Sequence, residues 1–509
     1  MGKEKNYLAM DLGAESGRGM MGTLTNGKLV LSEVHRFQTG ATGLPTMYPH
    51  IAANKGRSDR SYVWNFINFW GDVKESITKA SKEAQLSSMG VDTWGVDFAL
   101  LDRDGLLLST PYHYRDERND GMMEEAFSRM PKEMIYNITG IQFMQINTLF
   151  QLFSMVVNDS PVLKQADKFL MVPDLIHYWL TGKAVAEFTE ATTTQIIDTR
   201  NGNWSPEIIK AMGFPQHIFP EIVMPGTILG SIRSSIAEEL GVELKVVAPP
   251  SHDTGSAVAA VPAADDNFVW ISSGTWSVVG INSPNPVIND QSFESNLTNE
   301  GGVMGKYRFS KNVMGLWLVQ QCRRRWKKDG KDYSYTQLTD FARSAPAFKT
   351  LVDPDYSGFL KVGDMVQQIT DYCQLTAQPI PQTEGEMIRA ILQGLALRYR
   401  FVIEHLELVS GRQVSTIHIV GGGTKNTLLN QFTADATGKQ VVTGPIEATA
   451  TGNLITQAIA MGDIADWQAG AEVIRNSFEI NVYTPGERDP WEKAFARFKE
   501  NAKKVNMAF

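Results

Sequence analysis

The sequence predicts an α/β fold built as two topologically related halves, and three observations predict it. The chain opens on Tyr7–Leu12, Gly19–Leu24 and Lys28–His35, short β-prone runs separated by polar, Gly-containing turns. A second strand–turn–strand unit, Phe268–Ile281 with Ser272–Thr275 at its turn, follows about 260 residues later. The C-terminal half then reads strand Thr416–Val420, Gly421–Gly423, helix Leu428–Ala436, strand Gln440–Thr443 and helix Ala448–Ala460, the β–Gly–α–β–α order of a layered α/β arrangement.

Taken in order, Thr25-Asn26-Gly27 joins the second and third strands, and Asn-Gly is the strongest short-range hairpin signal. The first turn, Gly13–Arg18, is longer than a hairpin needs. Ser61–Lys82 carries Val63, Phe66, Ile67, Trp70, Val73 and Ile77 at helical spacing. Met89–Leu101 reads as a strand broken at Gly95, and the bland reading of it is a bulged core strand. Met134–Val157, Pro173–Leu180 and Pro206–Met212 are mostly helical. Val246–Pro250 leads through Ser251–Ser256 into a small-residue helix, Ala257–Val261. Glu384–Leu408 is a long amphipathic helix.

At 509 residues the chain exceeds what one hydrophobic core holds, so at least two domains are expected, divided as 1–250 and 251–509. The formal charge of -8 argues against a nucleic-acid partner, which clustered Lys and Arg would bind. Arg323–Arg325 with Lys327 and Lys328 reads as a solvated helix face. Cys322 and Cys373 form no disulfide framework and no zinc spacing, and the 8 histidines are scattered. No apolar run is long enough for a signal peptide or a membrane span. A cytoplasmic monomer or homodimer is expected.

GxxxxGK[ST] does not occur and no GxGxxG lies between a strand and a helix, which removes P-loop and dinucleotide folds. Instead three Gly-rich turns, Gly13–Arg18, Ser272–Thr275 and Gly421–Gly423, each follow a β-prone segment, where backbone N–H groups can surround an anion. Asp11 ends the first strand just before such a turn. It can hold a divalent cation beside phosphates or merely cap the turn through its side chain. Asp253 can accept a proton from an attacking hydroxyl or act as a helix N-cap, and the two roles are compatible because a helix N-terminus favours the anion.

With these motifs in view the chain resembles the FGGY carbohydrate kinases over nearly its whole length. The resemblance is carried by Asp11–Arg18, Glu33–Phe37, Gly90–Phe98, Tyr114–Arg118, Ala191–Gln195 and Ser251–Thr254, and then by Ser272–Ser277, Asn299–Gly302, Asn312–Trp317 and His418–Gly423. It implies two actin-like (ribonuclease H-like) domains with a mixed sheet and flanking helices. Sugar would bind mainly to the N-terminal domain and ATP mainly to the C-terminal one, with the active site in the interdomain cleft. Asp253 would be the catalytic base. Asp11 would hold Mg2+ and the phosphates, and Ala14, Glu15, Ser16, Gly17 and Arg18 would line the ATP phosphates. Gly274 and Thr275 would form a second phosphate turn, and Gln320, Gly421, Gly422 and Gly423 would bind the nucleotide. Gly90, His252, Thr254 and Asn312 would face a ketose, with Trp94, Asp97 and Arg118 in the same pocket. The implied reaction is phosphoryl transfer from ATP to O1 of L-rhamnulose. L-fuculose or D-xylulose is the alternative substrate, and an actin-like ATPase without a sugar substrate is the alternative class.

Glu15 departs from the family pattern, which has a small residue there. A carboxylate beside phosphates repels them, so Glu15 either faces solvent, pairs with Arg18, or lowers phosphate affinity. Gly40–Arg60, with Lys55, Arg57 and Arg60, is longer than the pattern needs.

Overall fold

A first strand buried along nearly its whole length, followed by a partly buried and a largely exposed one, organises the start of the chain. In the computed structural model, which describes residues 4–45, 60–360 and 363–505, the opening strands are β1 (Lys5–Leu12), β2 (Ser16–Thr25) and β3 (Lys28–Gln38). Asn26 and Gly27 both have positive φ, 49° and 72°, the conformation a two-residue hairpin requires. The first turn is shorter than expected. Pairing runs to Leu12↔Gly17 and Asp11↔Arg18, so Gly17 and Arg18 are strand residues. Their low β-propensity conceals them in the sequence.

The chain forms two compact units. The first comprises Met1–Ala260, Asn282–Phe309 and Ala448–Ser477, and the second Val261–Ile281, Ser310–Glu447 and Phe478–Phe509. The first unit's main sheet adds β4 (Leu86–Thr93), β5 (Thr227–Ser231) and β6 (Lys245–Ala248), in the order β5-β6-β4-β1-β2-β3. β1 lies at its centre, antiparallel to β2 and parallel to β4. Both faces of the sheet are covered. A Cβ on Gly19 would come 2.8 Å from Ser76 of helix Phe66–Glu83, whereas one on Gly22 would come 2.8 Å from Leu454 of helix Ala448–Ala460. Because side chains alternate along a strand, these two glycines face opposite sides.

The helix expected from residue 61 begins later. Arg60–Trp64 pairs with Ala41–Pro45 as a hairpin, and the helix starts at Phe66 behind the Asn65 cap. Its core face is Phe66, Phe69, Val73, Ile77 and Ala80, and each large buried side chain contributes about 1.5–3 kcal/mol. Ile67, expected on that face, is 70% exposed. Within Gly40–Arg60, residues 46–59 lie outside the described residues. A second cluster of the first unit packs helices Met122–Arg129, Lys132–Thr139 and Thr148–Val157 around the paired strands Phe98–Leu101 and Lys168–Met171.

The second unit repeats the strand scheme. β7 (Phe268–Ser273) is antiparallel to β8 (Ser277–Ser283) and parallel to β10 (Thr416–Val420), with β9 (Tyr307–Val313), β11 (Gln440–Thr443) and β12 (Val482–Tyr483) giving the order β9-β8-β7-β10-β11-β12, and strand Thr298–Gly301 adds a seventh at the β9 edge. Helix Glu384–Ser410 brings Arg398 into a buried two-pronged pair with Asp353. Nearby Asp355 accepts the Met314 N–H at 2.8 Å, which anchors the segment after Asn312. No helix among the described residues is long and apolar enough to cross a membrane.

Candidate active site

The β1–β2 turn closes through Gly13 N–H to Ser16 O at 3.0 Å and is braced by Thr39, whose hydroxyl donates to Gly13 O at 2.6 Å. Cross-strand pairing puts Arg18 opposite Asp11, and their side chains meet at 2.6 Å. Arg18 therefore pairs with Asp11, while Glu15 is exposed at the tip between Ala14 and Ser16. On the other side of β1, Asp92 of β4 stands beside Asp11 in parallel register. It is fully buried, accepts from Asn453 Nδ2 at 2.6 Å, and its Oδ1 has no hydrogen-bond partner among the described residues. Burial pushes the Asp92 carboxyl well up, and the Asp11 charge adds to the rise. Gly90 lies two residues earlier, where a Cβ would come 2.8 Å from Asn453 Oδ1.

The segment carrying Asp253 is fixed by backbone bonds. Thr93 N–H donates to Ser251 O at 2.8 Å, Ser251 N–H donates to Glu187 Oε2 at 3.0 Å, and His252 N–H donates to Thr189 Oγ1 at 3.1 Å. His252 takes the N-cap position without a side-chain capping bond, and Asp253 is the first helical residue rather than the cap. Asp253 Oδ1 accepts from the backbone N–H and the hydroxyl of Thr254. The carboxylate is 35% exposed, and the contacts it makes with described residues all fall on Oδ1.

Asp97 follows Val96, whose φ of 72° is unusual for a β-branched residue and costs about 1–3 kcal/mol. Three bonds hold that conformation: Val96 N–H to Thr193 Oγ1, and Val96 O from Thr148 Oγ1 and Gln151 Nε2. Asp97 is thereby aimed at Trp64 Nε1 (2.6 Å), Trp94 Nε1 (3.0 Å), Tyr114 N (3.2 Å) and Gln151 Nε2 (2.8 Å). Its carboxylate is fully buried, and burial, opposed by these bonds, pushes its pKa to about 6. With both oxygens engaged, Asp97 acts on its surroundings by holding the two indoles, whose centroids are 3.9 Å apart. Arg118 stacks on Tyr112 at 3.9 Å and donates to Gln151 Oε1 at 2.9 Å.

Behind this region lie the fully buried carboxyls Asp174, Glu187 and Glu190, all pushed up by burial, Glu187 to about 7. An acid whose folded pKa exceeds its unfolded value binds more protons when folded, so its contribution to stability is present at low pH and lost as pH rises through the folded pKa. Between pH 4.5 and 7 the Glu187 carboxyl is therefore expected to lower stability progressively. Asp97 adds the same sign up to about pH 6. Glu187→Gln keeps an acceptor for Ser251 and Glu190 N–H, and it should make the fall in melting temperature from pH 5 to pH 8 visibly shallower. An unchanged fall would show that Glu187 ionises in the folded protein as it does in the unfolded chain.

In the second unit, turn Gly274–Trp276 is pinned by Leu316 N–H to Gly274 O (3.0 Å) and Trp317 N–H to Thr275 O (3.1 Å). Gln320 of helix Trp317–Lys328 hydrogen-bonds Thr275 Oγ1 at 3.0 Å. After β10, Gly421 has φ 88°, and a Cβ there would come 3.1 Å from Ser273 O. The space over Gly422 is open, while Gly423 abuts the Ser273 side chain. The Ser272–Thr275 and Gly421–Gly423 turns thus lie side by side. Asn312 is half-buried on β9.

Trp64, Asp92 and Gln151 enter these networks without having been singled out in the sequence. Of these, Asp92 lies within a motif that could have flagged it, Gly90–Phe98.

Each unit carries a mixed sheet with Gly-rich turns at its strand ends, and comparison with known proteins gives the class of protein. The N-terminal domain of the FGGY family of carbohydrate kinases matches residues 7–259 and the C-terminal domain of the same family matches 269–461. The chain belongs to the FGGY family of carbohydrate kinases.

Among its relatives is a rhamnulokinase from Bacteroides thetaiotaomicron, 40% identical over 498 residues, covering 97% of this chain and 99% of that protein. A rhamnulokinase from Oceanobacillus iheyensis is 40% identical over 479 residues, 94% of this chain and 97% of the relative. The fold is that of a xylulose kinase from Lactobacillus acidophilus, with TM-score 0.80 and 18% identity over 99% of each chain.

Proposed function

We propose that this chain phosphorylates L-rhamnulose at O1 with ATP, giving L-rhamnulose 1-phosphate and ADP. The observation that carries the reading is the held Asp253 carboxylate, with Oδ1 tied to Thr254 and contacts from described residues confined to that oxygen. The near-full-length relatives named rhamnulokinase support the choice of sugar.

In this reading the O1 hydroxyl gives its proton to Asp253 while O1 bonds to the γ-phosphorus and the bond from that phosphorus to the β–γ bridging oxygen breaks, releasing ADP. Glu187 and Thr189 keep the Ser251–Asp253 backbone in place. For the nucleotide the second unit offers Gly274, Thr275, Gln320 and Gly421–Gly423, and the first offers Ala14, Glu15 and Ser16 with Gly17 and Arg18 of β2. For the ketose the first unit offers Gly90, His252 and Thr254, with Trp94, Asp97 and Arg118 shaping its pocket, and the second offers Asn312.

Mg2+ is part of the proposal. Among the described residues no group of three or more His, Cys, Asp or Glu is placed to hold a metal ion alone. The donor beside the first turn is the Asp11 carboxylate at the end of β1, and Mg2+ is typically held by one or two carboxylates together with substrate phosphates and water, so the residue present fits it. When bound, it would offset charge on the phosphate oxygens. A cytoplasmic setting accords with two buried, unbridged cysteines.

ADP release from MgATP should depend on L-rhamnulose and be much weaker with L-fuculose, D-xylulose or no sugar. Preference for another ketose would move the substrate and keep the family. Release indifferent to sugar would favour an ATPase.

A further inference from the structure

Glu300 and Arg308 lie against His252 and have no part in the reaction as outlined. They sit on strand Thr298–Gly301 and on β9, joined through a turn that Gly302 N–H closes onto Lys306 O at 2.8 Å. Arg308 is 1% exposed, and its Nε donates to Gly301 O at 2.7 Å, which fixes the guanidinium. One nitrogen, Nη2, then lies 3.0 Å from His252 Nδ1 and 3.1 Å from Glu300 Oε2. Glu300 Oε2 is itself 3.3 Å from Nδ1. Across the ring, His252 Nε2 is 3.5 Å from Asp253 Oδ1.

The imidazole has three protonation states, and its neighbours rank them. A guanidinium only donates. With the proton on Nε2, bare Nδ1 accepts from Arg308 and Nε2–H faces the Asp253 carboxylate. In the cation, Nδ1–H donates to Glu300 and Nε2–H again faces Asp253. With the proton on Nδ1 alone, Arg308 loses its acceptor and a lone pair on Nε2 faces the carboxylate. Burial pushes the Glu300 carboxyl up, but the His252 bond and the Arg308 charge outweigh it and hold it at about 2, so Glu300 remains an acceptor. Burial lowers the Arg308 guanidinium, and the Glu300 charge beside it opposes that shift. Arg308 and Asp253 thus disfavour the third state, against Glu300, which can accept from Nδ1–H, and Glu300 supports the first state by holding the Arg308 guanidinium at Nδ1.

We infer that Glu300 and Arg308 are positioning residues that hold His252 with Nε2–H directed at Asp253, so that Asp253 Oδ1 stays engaged and Oδ2 is presented to the hydroxyl being phosphorylated. This rests on the reading of Asp253 as the base. The pair acts through His252 and touches no reacting atom.

The test is the tautomer of His252 in the full-length protein, read from imidazole nitrogen spectra after assigning its signal among the 8 histidines with a His252→Asn variant. Wild type should carry hydrogen on Nε2, and Arg308→Met should move it to Nδ1. In steady-state assays Arg308→Met and Glu300→Gln should each lower kcat by about 10- to 100-fold, the scale of a small misplacement of a reacting group, with KM for ATP within about twofold of wild type. A bare Nε2 in wild type overturns the inference whatever the variants do. So does wild-type kcat in Glu300→Gln, which keeps the side-chain shape and carries the kinetic test alone if Arg308→Met does not fold. The tautomer measurement needs no substrate. A wild type that phosphorylates no ketose would therefore defeat the functional reading separately.

Discussion

Asp253→Asn is expected to lower ketose-dependent ADP release by about 10²- to 10⁴-fold, the range a positioned general base supplies, with the melting temperature close to that of wild type. The amide can still accept from Thr254 through its oxygen, so the start of the helix survives, while the group that would take the O1 proton is lost. Partial exposure of the side chain removes any large packing penalty. Nucleotide affinity, measured by calorimetry, should stay within a few-fold of wild type. Turnover above half that of wild type would remove Asp253 from the mechanism and direct attention to the carboxylates of β1 and β4.

Gly452→Ala sets two effects of opposite sign against each other. In an isolated helix the change is favourable by about 1 kcal/mol. Here helix Ala448–Ala460 crosses helix Asp253–Ala259 so closely that a Cβ on Gly452 would fall well inside the reach of the Ser256 carbonyl oxygen and 3.2 Å from the Ala259 Cβ. Backbone cannot rotate aside as a side chain can, and overpacking of this kind costs about 3 kcal/mol or more. Packing should win. The variant is expected to show a clearly lower denaturation midpoint, and because the displaced helix begins at Asp253, a reduced kcat as well. A midpoint at or above that of wild type would mean that the two helices separate at little cost.

Much of the fold was legible because its signals are local. The Asn26–Gly27 turn, the apolar stripe of Glu384–Ser410 and the strand–helix–strand–helix run from Thr416 to Ala460 follow from neighbouring residues alone. Errors arose where local preference and pairing disagree. Gly17 reads as turn but is held in β2 by Leu12, and Ser61–Trp64 continues the helical spacing of Phe66–Ile77 yet pairs with residues 41–44. The least legible contacts are those whose partners are distant in sequence. Asp97 has the look of a turn aspartate, and its donors Trp64 and Gln151 are 33 and 54 residues away. Arg308 lies 56 residues from His252 and belongs to no motif. Such pairings depend on topology, which periodicity does not encode.

The discontinuous make-up of the first unit has a bearing on how the chain is made. Residues 448–477 complete that unit, so it lacks the cover of one sheet face long after residue 260 has been synthesised. At roughly 5–20 residues per second, the intervening 217 residues (477 − 260) take about 10–40 s to add. During that interval the face of the opening sheet that Leu454 will cover stands open on the ribosome, available to chaperones and to neighbouring nascent chains. A message truncated anywhere before codon 448 would release a product in which neither unit is whole.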